Sequence, residues 1–131
     1  MRGLDPAIVK YLFMEMLAQS TQCIVEDGVV RLETPFMLPD GHLVRVYFRL
    51  GLEQEVIVSD GGYTSRMVTV FSRFEEEARA RYEKLRQIAR DLGVEYADGE
   101  LRFVAPSLEQ AVRRVPVLAH AVVAGLGMLT W

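Results

Sequence analysis

The sequence predicts an α+β domain: an amino-terminal helix, an antiparallel β-meander, then helices that carry a second small hairpin. Two observations carry this expectation. Asp-Gly pairs stand at Asp27-Gly28, Asp40-Gly41 and Asp98-Gly99 between apolar runs, and Asp60-Gly61-Gly62 closes the central block. Such pairs favour turns because glycine takes positive φ without steric cost and aspartate bonds its own backbone. Outside those runs the apolar spacing changes from two to about 3.6 residues, most visibly at Phe74, Ala78, Tyr82, Leu85, Ala89 and Leu92.

Asp5 and Pro6 read as the cap and first residue of a helix that continues to Ser20, with Ile8, Leu12, Met16 and Leu17 spaced as the apolar face of an amphipathic element. Cys23 to Glu26 and Val29 to Glu33 then form a hairpin over Asp27-Gly28. Thr34-Pro35-Phe36 marks the entry to the central block. Leu43 to Leu50 places Val44, Val46, Phe48 and Leu50 on one face and Arg45, Tyr47 and Arg49 on the other, and Glu55 to Ser59 follows with Val56 and Val58 inward. Tyr63 to Phe71 suits a short helix, although Met67 to Phe71 has strand-like composition. Phe74 to Leu92 is a longer helix supported by Glu75/Arg79 and Glu77/Arg81 pairs and ended by Gly93. Val94 to Tyr96 and Leu101 to Val104 make the second hairpin, after which Ser107 and Gln110 form a capping box for the last helix.

At 131 residues, half of them hydrophobic, the chain is expected to be one domain, 1–131, with a core that needs no staple. A formal net charge of -3 offers no global attraction for nucleic acid, so a basic site would have to be local; nucleic acid is not excluded as a partner on that ground. Cys23 is the sole cysteine, so no internal disulfide can form. The amino terminus meets an acid and a proline before any apolar stretch, which argues against a signal peptide and for a cytoplasmic setting. There is no asparagine, and thirteen of the fifteen basic residues are arginine. That composition fits a heat-adapted source, and a GC-rich genome biases it the same way.

The run Thr34-Pro35-Phe36, Asp40-Gly41, Val44, Val46 and Tyr47, then Val58-Ser59-Asp60-Gly61-Gly62-Tyr63-Thr64, resembles the DUF1828 family of small bacterial and phage proteins of unknown function. Leu85, Ile88, Gly93, Val94 and Gly99-Glu100-Leu101 extend the likeness over roughly residues 4 to 104. The resemblance implies a setting among phage and mobile-element genes and supplies no activity. Where the family commonly carries Asp-Asp-Gly, this chain has Asp60-Gly61-Gly62, and His42 stands where the family has an acid. Both departures remove carboxylates.

Three groups of residues carry candidate chemistry. Arg45, Tyr47 and Arg49 share a strand face that Arg31 joins from the neighbouring strand, a basic and aromatic stripe suited to phosphate or to an acidic protein, or else a solvated face cross-paired with Glu33 or Glu55. Asp40, Glu55 and Asp60 near the strand ends would have to converge to hold a divalent ion for a nuclease or hydrolase; Asp40 and Asp60 also have an ordinary reason to precede glycine in turns. His42 reads as a loop residue, His120 as an interior or interface side chain and Cys23 as an inert core thiol. No nucleophile triad, phosphate loop, cofactor motif or metal-ligand spacing is visible.

Val115 to Trp131 has His120 as its one ionisable residue and is expected to be helical and covered, by the core or across a homodimer interface. It is short for a membrane span and broken by Pro116, Gly125 and Gly127. The sequence thus favours a non-catalytic interaction module with a protein partner, against a metal-dependent nuclease or a self-assembling structural subunit.

Overall fold

Helix α1 (Pro6–Ser20) starts where the Asp5 carboxylate accepts the Ala7 N–H at 2.9 Å, with Pro6 in the first turn, where its missing N–H costs nothing. A computed structural model describes residues 3–129 of the chain, and all statements below concern those residues. Strands β1 (Gln22–Glu26), β2 (Val29–Met37), β3 (Leu43–Leu50) and β4 (Val56–Ser59) form an antiparallel meander. Helices α2 (Tyr63–Phe71) and α3 (Glu75–Leu92) follow, then β5 (Glu95–Ala97), β6 (Glu100–Ala105), α4 (Leu108–Arg113) and α5 (Val115–Gly127).

The α+β class holds, and the second hairpin is continuous with the first sheet. β6 pairs antiparallel with β4, so the strand order is β1-β2-β3-β4-β6-β5. Both two-residue hairpin turns have positive φ at each position, Asp27 52° with Gly28 77° and Asp98 53° with Gly99 75°, which matches the twist of the flanking strands.

One sheet face carries the core. Val44, Val46 and Phe48 on β3, Val56 and Val58 on β4, and Leu101, Phe103 and Ala105 on β6 pack with Val68, Leu85, Ala89, Leu118 and Val122 from α2, α3 and α5. The carboxyl-terminal apolar segment has its cover here: Val115, Leu118, Ala119, Ala121, Val122, Gly125 and Leu126 are buried within the chain, while Thr130 and Trp131 lie outside the described residues.

Five details depart from the sequence reading. Helix α1 is not amphipathic in use, because none of its residues is buried. Thr34-Pro35-Phe36 lies inside β2, which runs on to Met37 instead of ending at Glu33. The ladder with β3 shifts between Glu33 and Met37, an irregularity that accommodates a proline without an N–H, and the Thr34 hydroxyl spans it by donating to Val44 O at 2.8 Å. Leu50 is exposed because β3 ends there beside the Gly51 turn. The last helix is two: Pro116 lies in the first turn of α5, and the chain turns at Arg114, whose guanidinium stacks on the Phe103 ring at 4.3 Å. Cys23 and His120 are exposed, since β1 is an edge strand and His120 occupies the outward side of α5.

Candidate functional site

Alternation along β3 sends Val44, Val46 and Phe48 into the core and Arg45, Tyr47 and Arg49 to the opposite face. The β2–β3 register sets Arg31 across from Tyr47 and Glu33 across from Arg45. The stripe therefore exists as a shared face, and most of its charge has a partner within the fold. Arg49 makes a two-pronged pair with Glu100, 3.1 and 3.4 Å, and the Ser59 hydroxyl donates to the same carboxylate at 3.2 Å. This ties β3 to β6 across β4. Arg31 lies 3.7 Å from Glu26, while Arg45 reaches Glu33 only at 4.0 Å and keeps half of its side chain in water.

The acids do not gather. Glu55 precedes β4 and Asp60 follows it, so the strand holds them about 16 Å apart. Glu55 accepts the Glu53 N–H at 3.2 Å within the β3–β4 turn. Asp60 is buried and accepts three backbone N–H groups, from Gly62 at 2.8 Å, Thr64 at 3.1 Å and Leu101 at 3.1 Å. It caps α2 and pins that helix to β6. Burial raises its carboxyl above the ordinary 3.8, and the hydrogen bonds pull the other way. Asp40 is exposed, accepts the His42 N–H at 2.9 Å and lies 3.0 Å from His42 Nδ1, and these bonds lower its carboxyl. Among the described residues no group of three or more His, Cys, Asp or Glu side chains could hold a metal ion.

A cleft of about 580 Å³ opens where the β2–β3 turn meets the Asp60 turn and the first residues of α2. Leu38, Leu43 and Val122 give it an apolar wall, and Arg45, Arg66, Tyr47, Tyr63, His42 and Glu33 supply its polar groups. Tyr63 joins the rims by donating its hydroxyl to Asp40 Oδ2 at 3.2 Å; burial, then the Asp40 charge, raises that phenol. Arg66 donates to Gly61 O at 2.9 Å, which anchors its head at the cleft edge. The stripe thus contributes Arg45 and Tyr47 to the cleft, and Arg31 and Arg49 stand outside its lining. The place of Arg66 and Tyr63 in the cleft was not legible in the sequence, because only the Asp60 turn brings α2 beside β3.

Gly61 lets Tyr47 close over that turn. Its φ is +66°, and an added Cβ would lie 2.6 Å from Tyr47 Cε2. Gly61→Val combines left-handed strain with displacement of the ring and is expected to destabilise by roughly 1–3 kcal/mol. Urea denaturation measures it, with Gly62→Val as the milder companion because its added Cβ would come no closer than 3.3 Å to the Arg66 head and 3.4 Å to Gly99 O.

Fold and site together define a two-layer α+β protein with an open cleft of mixed charge at one end of its sheet. Comparisons with family models, curated proteins and solved structures find no match to this chain. Among the described residues no helix is long and apolar enough to cross a membrane.

Proposed function

We propose that the chain is a small interaction module of the phage or mobile-element type, which works by taking an acidic segment of a protein partner into the cleft rather than by catalysis. One observation carries this reading: Arg45 and Arg66 line a single open cleft together with two tyrosine rings. A guanidinium offers a fork of donors that matches a carboxylate, and the rings supply apolar area with a polar tip. Glu33 and Asp60 in the lining and the negative net charge disfavour a long phosphate backbone, so a protein carboxylate is the better fit than nucleic acid. The setting is the one implied by the family resemblance.

Fluorescence anisotropy with a labelled oligoglutamate peptide tests it, with a labelled single-stranded oligonucleotide as the contrast. Binding of the peptide should weaken as salt rises, and Arg45→Gln should reduce it at least tenfold while leaving the melting temperature nearly unchanged, since Arg45 has only a long pair to lose and glutamine sets no like charge across from Glu33. Equal binding by the variant would place the interaction elsewhere. Tighter binding of the oligonucleotide would replace the protein partner with nucleic acid.

A further inference from the structure

Helix α1 is built of apolar residues that the fold leaves in water. Ile8, Tyr11, Leu12, Phe13, Met14 and Met16 are each between 46% and 63% exposed. Thr21, the one residue between α1 and β1, is extended at φ -108° and ψ 126°, and although α1 approaches β2 it buries none of its residues there. The sheet has a matching deficit. The β1–β2 register continues the core face outward through Cys23, Val25, Val30 and Leu32, opposite the buried Val46 and Phe48. Cys23 is exposed there and Val25 is 74% exposed.

We infer that two copies of this chain pair about a two-fold axis, each α1 lying across the open β1–β2 strip of the other. Val30 and Leu32 pack at the margin of the core, and Cys23 and Val25 beyond them are open, so the chain holds both halves of the contact, an apolar helix that buries none of its residues and an uncovered apolar edge, which is the self-complementarity that a closed two-fold interface needs. One face of α1, Ile8, Val9, Leu12, Phe13 and Met16, together with Cys23 and Val25 of the strip, leaves on the order of 700 Å² on each copy, close to the ~800 Å² that each partner of a stable complex covers. A membrane surface fits less well. Lys10 and Glu15 are the only charged residues of α1 and cancel, whereas interfacial helices carry a basic face. The pairing rests on α1 and the edge strand and is independent of the cleft.

Sedimentation of the full chain at micromolar concentration should give twice the monomer mass, and Leu12→Asp with Phe13→Asp should return it to the monomer without loss of the circular-dichroism spectrum. A second variant tests the exchange itself. Ile8→Cys, oxidised in a mixture of isotopically light and heavy chains, should form a disulfide from residue 8 to Cys23 that joins one light and one heavy chain. A monomeric wild type overturns the proposal, as does a dimer that survives the double aspartate variant. A dimer in which residue 8 links only to residue 8 of the other copy overturns the exchange of helix and strip.

Discussion

Asp60→Ala is expected to lower the melting temperature by about 10 °C or more, the largest effect of any single polar substitution in the chain. The substitution leaves the N–H groups of Gly62, Thr64 and Leu101 without their acceptor at a site where Leu101 and Thr64 are wholly buried. At roughly 1–3 kcal/mol for each orphaned buried group, the cost is about 3 kcal/mol or more. For a domain of this size that corresponds to the stated shift. Thermal unfolding followed by circular dichroism measures it, and a shift of only a degree or two would mean that water replaces the carboxylate.

The same residue gives a pH dependence with a definite sign. Burial first, against its hydrogen bonds, raises the Asp60 carboxyl above 3.8 in the folded chain. The folded state then holds a proton more tightly than the unfolded state. Its contribution is fullest below pH 3.8 and falls as pH rises through the raised folded value. Asp60→Asn lacks this titration, so the stability of the wild type relative to the Asn variant should decline from acid pH upward. Asp40 has the opposite slope, because its lowered carboxyl contributes above the ordinary value and loses that contribution in acid; its exposure keeps the effect small. A rise in the wild-type advantage across the window above pH 3.8 would show that the three N–H groups outweigh burial at Asp60.

What could be read from the sequence follows how local each cause is. Asp5-Pro6, the two hairpin Asp-Gly turns, the Ser107 cap, whose hydroxyl accepts the Gln110 N–H, and the Glu75/Arg79 and Glu77/Arg81 pairs each act within a few residues, and each is where the spacing placed it. The stripe on β3 was equally visible, since strand alternation sets which face Arg45, Tyr47 and Arg49 occupy. Its neutralisation at Arg49 was not, because Glu100 is 51 residues away and arrives only through the β4–β6 pairing. The cleft is likewise non-local, assembled from β3, the β2–β3 turn and the first turn of α2. Helix α1 and Cys23 were misjudged for a related reason. Apolar spacing states what a segment would bury, and only the packed chain states whether anything covers it.

Helix α5 is the opposite case, since an element apolar almost all round gives no phase from which an inner face can be chosen. The packing chooses it. Gly125 sits where a Cβ would lie 2.8 Å from Leu85 Cδ1 and 3.0 Å from Thr64 Cγ2, so the absence of a side chain lets α5 approach α3 and α2 there. Seven residues earlier on the same face, Leu118 is fully buried, while its neighbour Val117 is 37% exposed. Leu118→Ala should therefore cost about 3 kcal/mol, combining lost burial with the cavity left in a tightly packed layer. Val117→Ala should cost less than about 1 kcal/mol, because it removes a smaller group than Leu118→Ala does and more than a third of Val117 stays in water, so no enclosed cavity is left. Urea titration of the two variants, with the dependence on denaturant checked for equality, separates them. Equal losses at the two positions would mean that α5 is rotated, and that the face carrying Gly125 is not the one turned to the core.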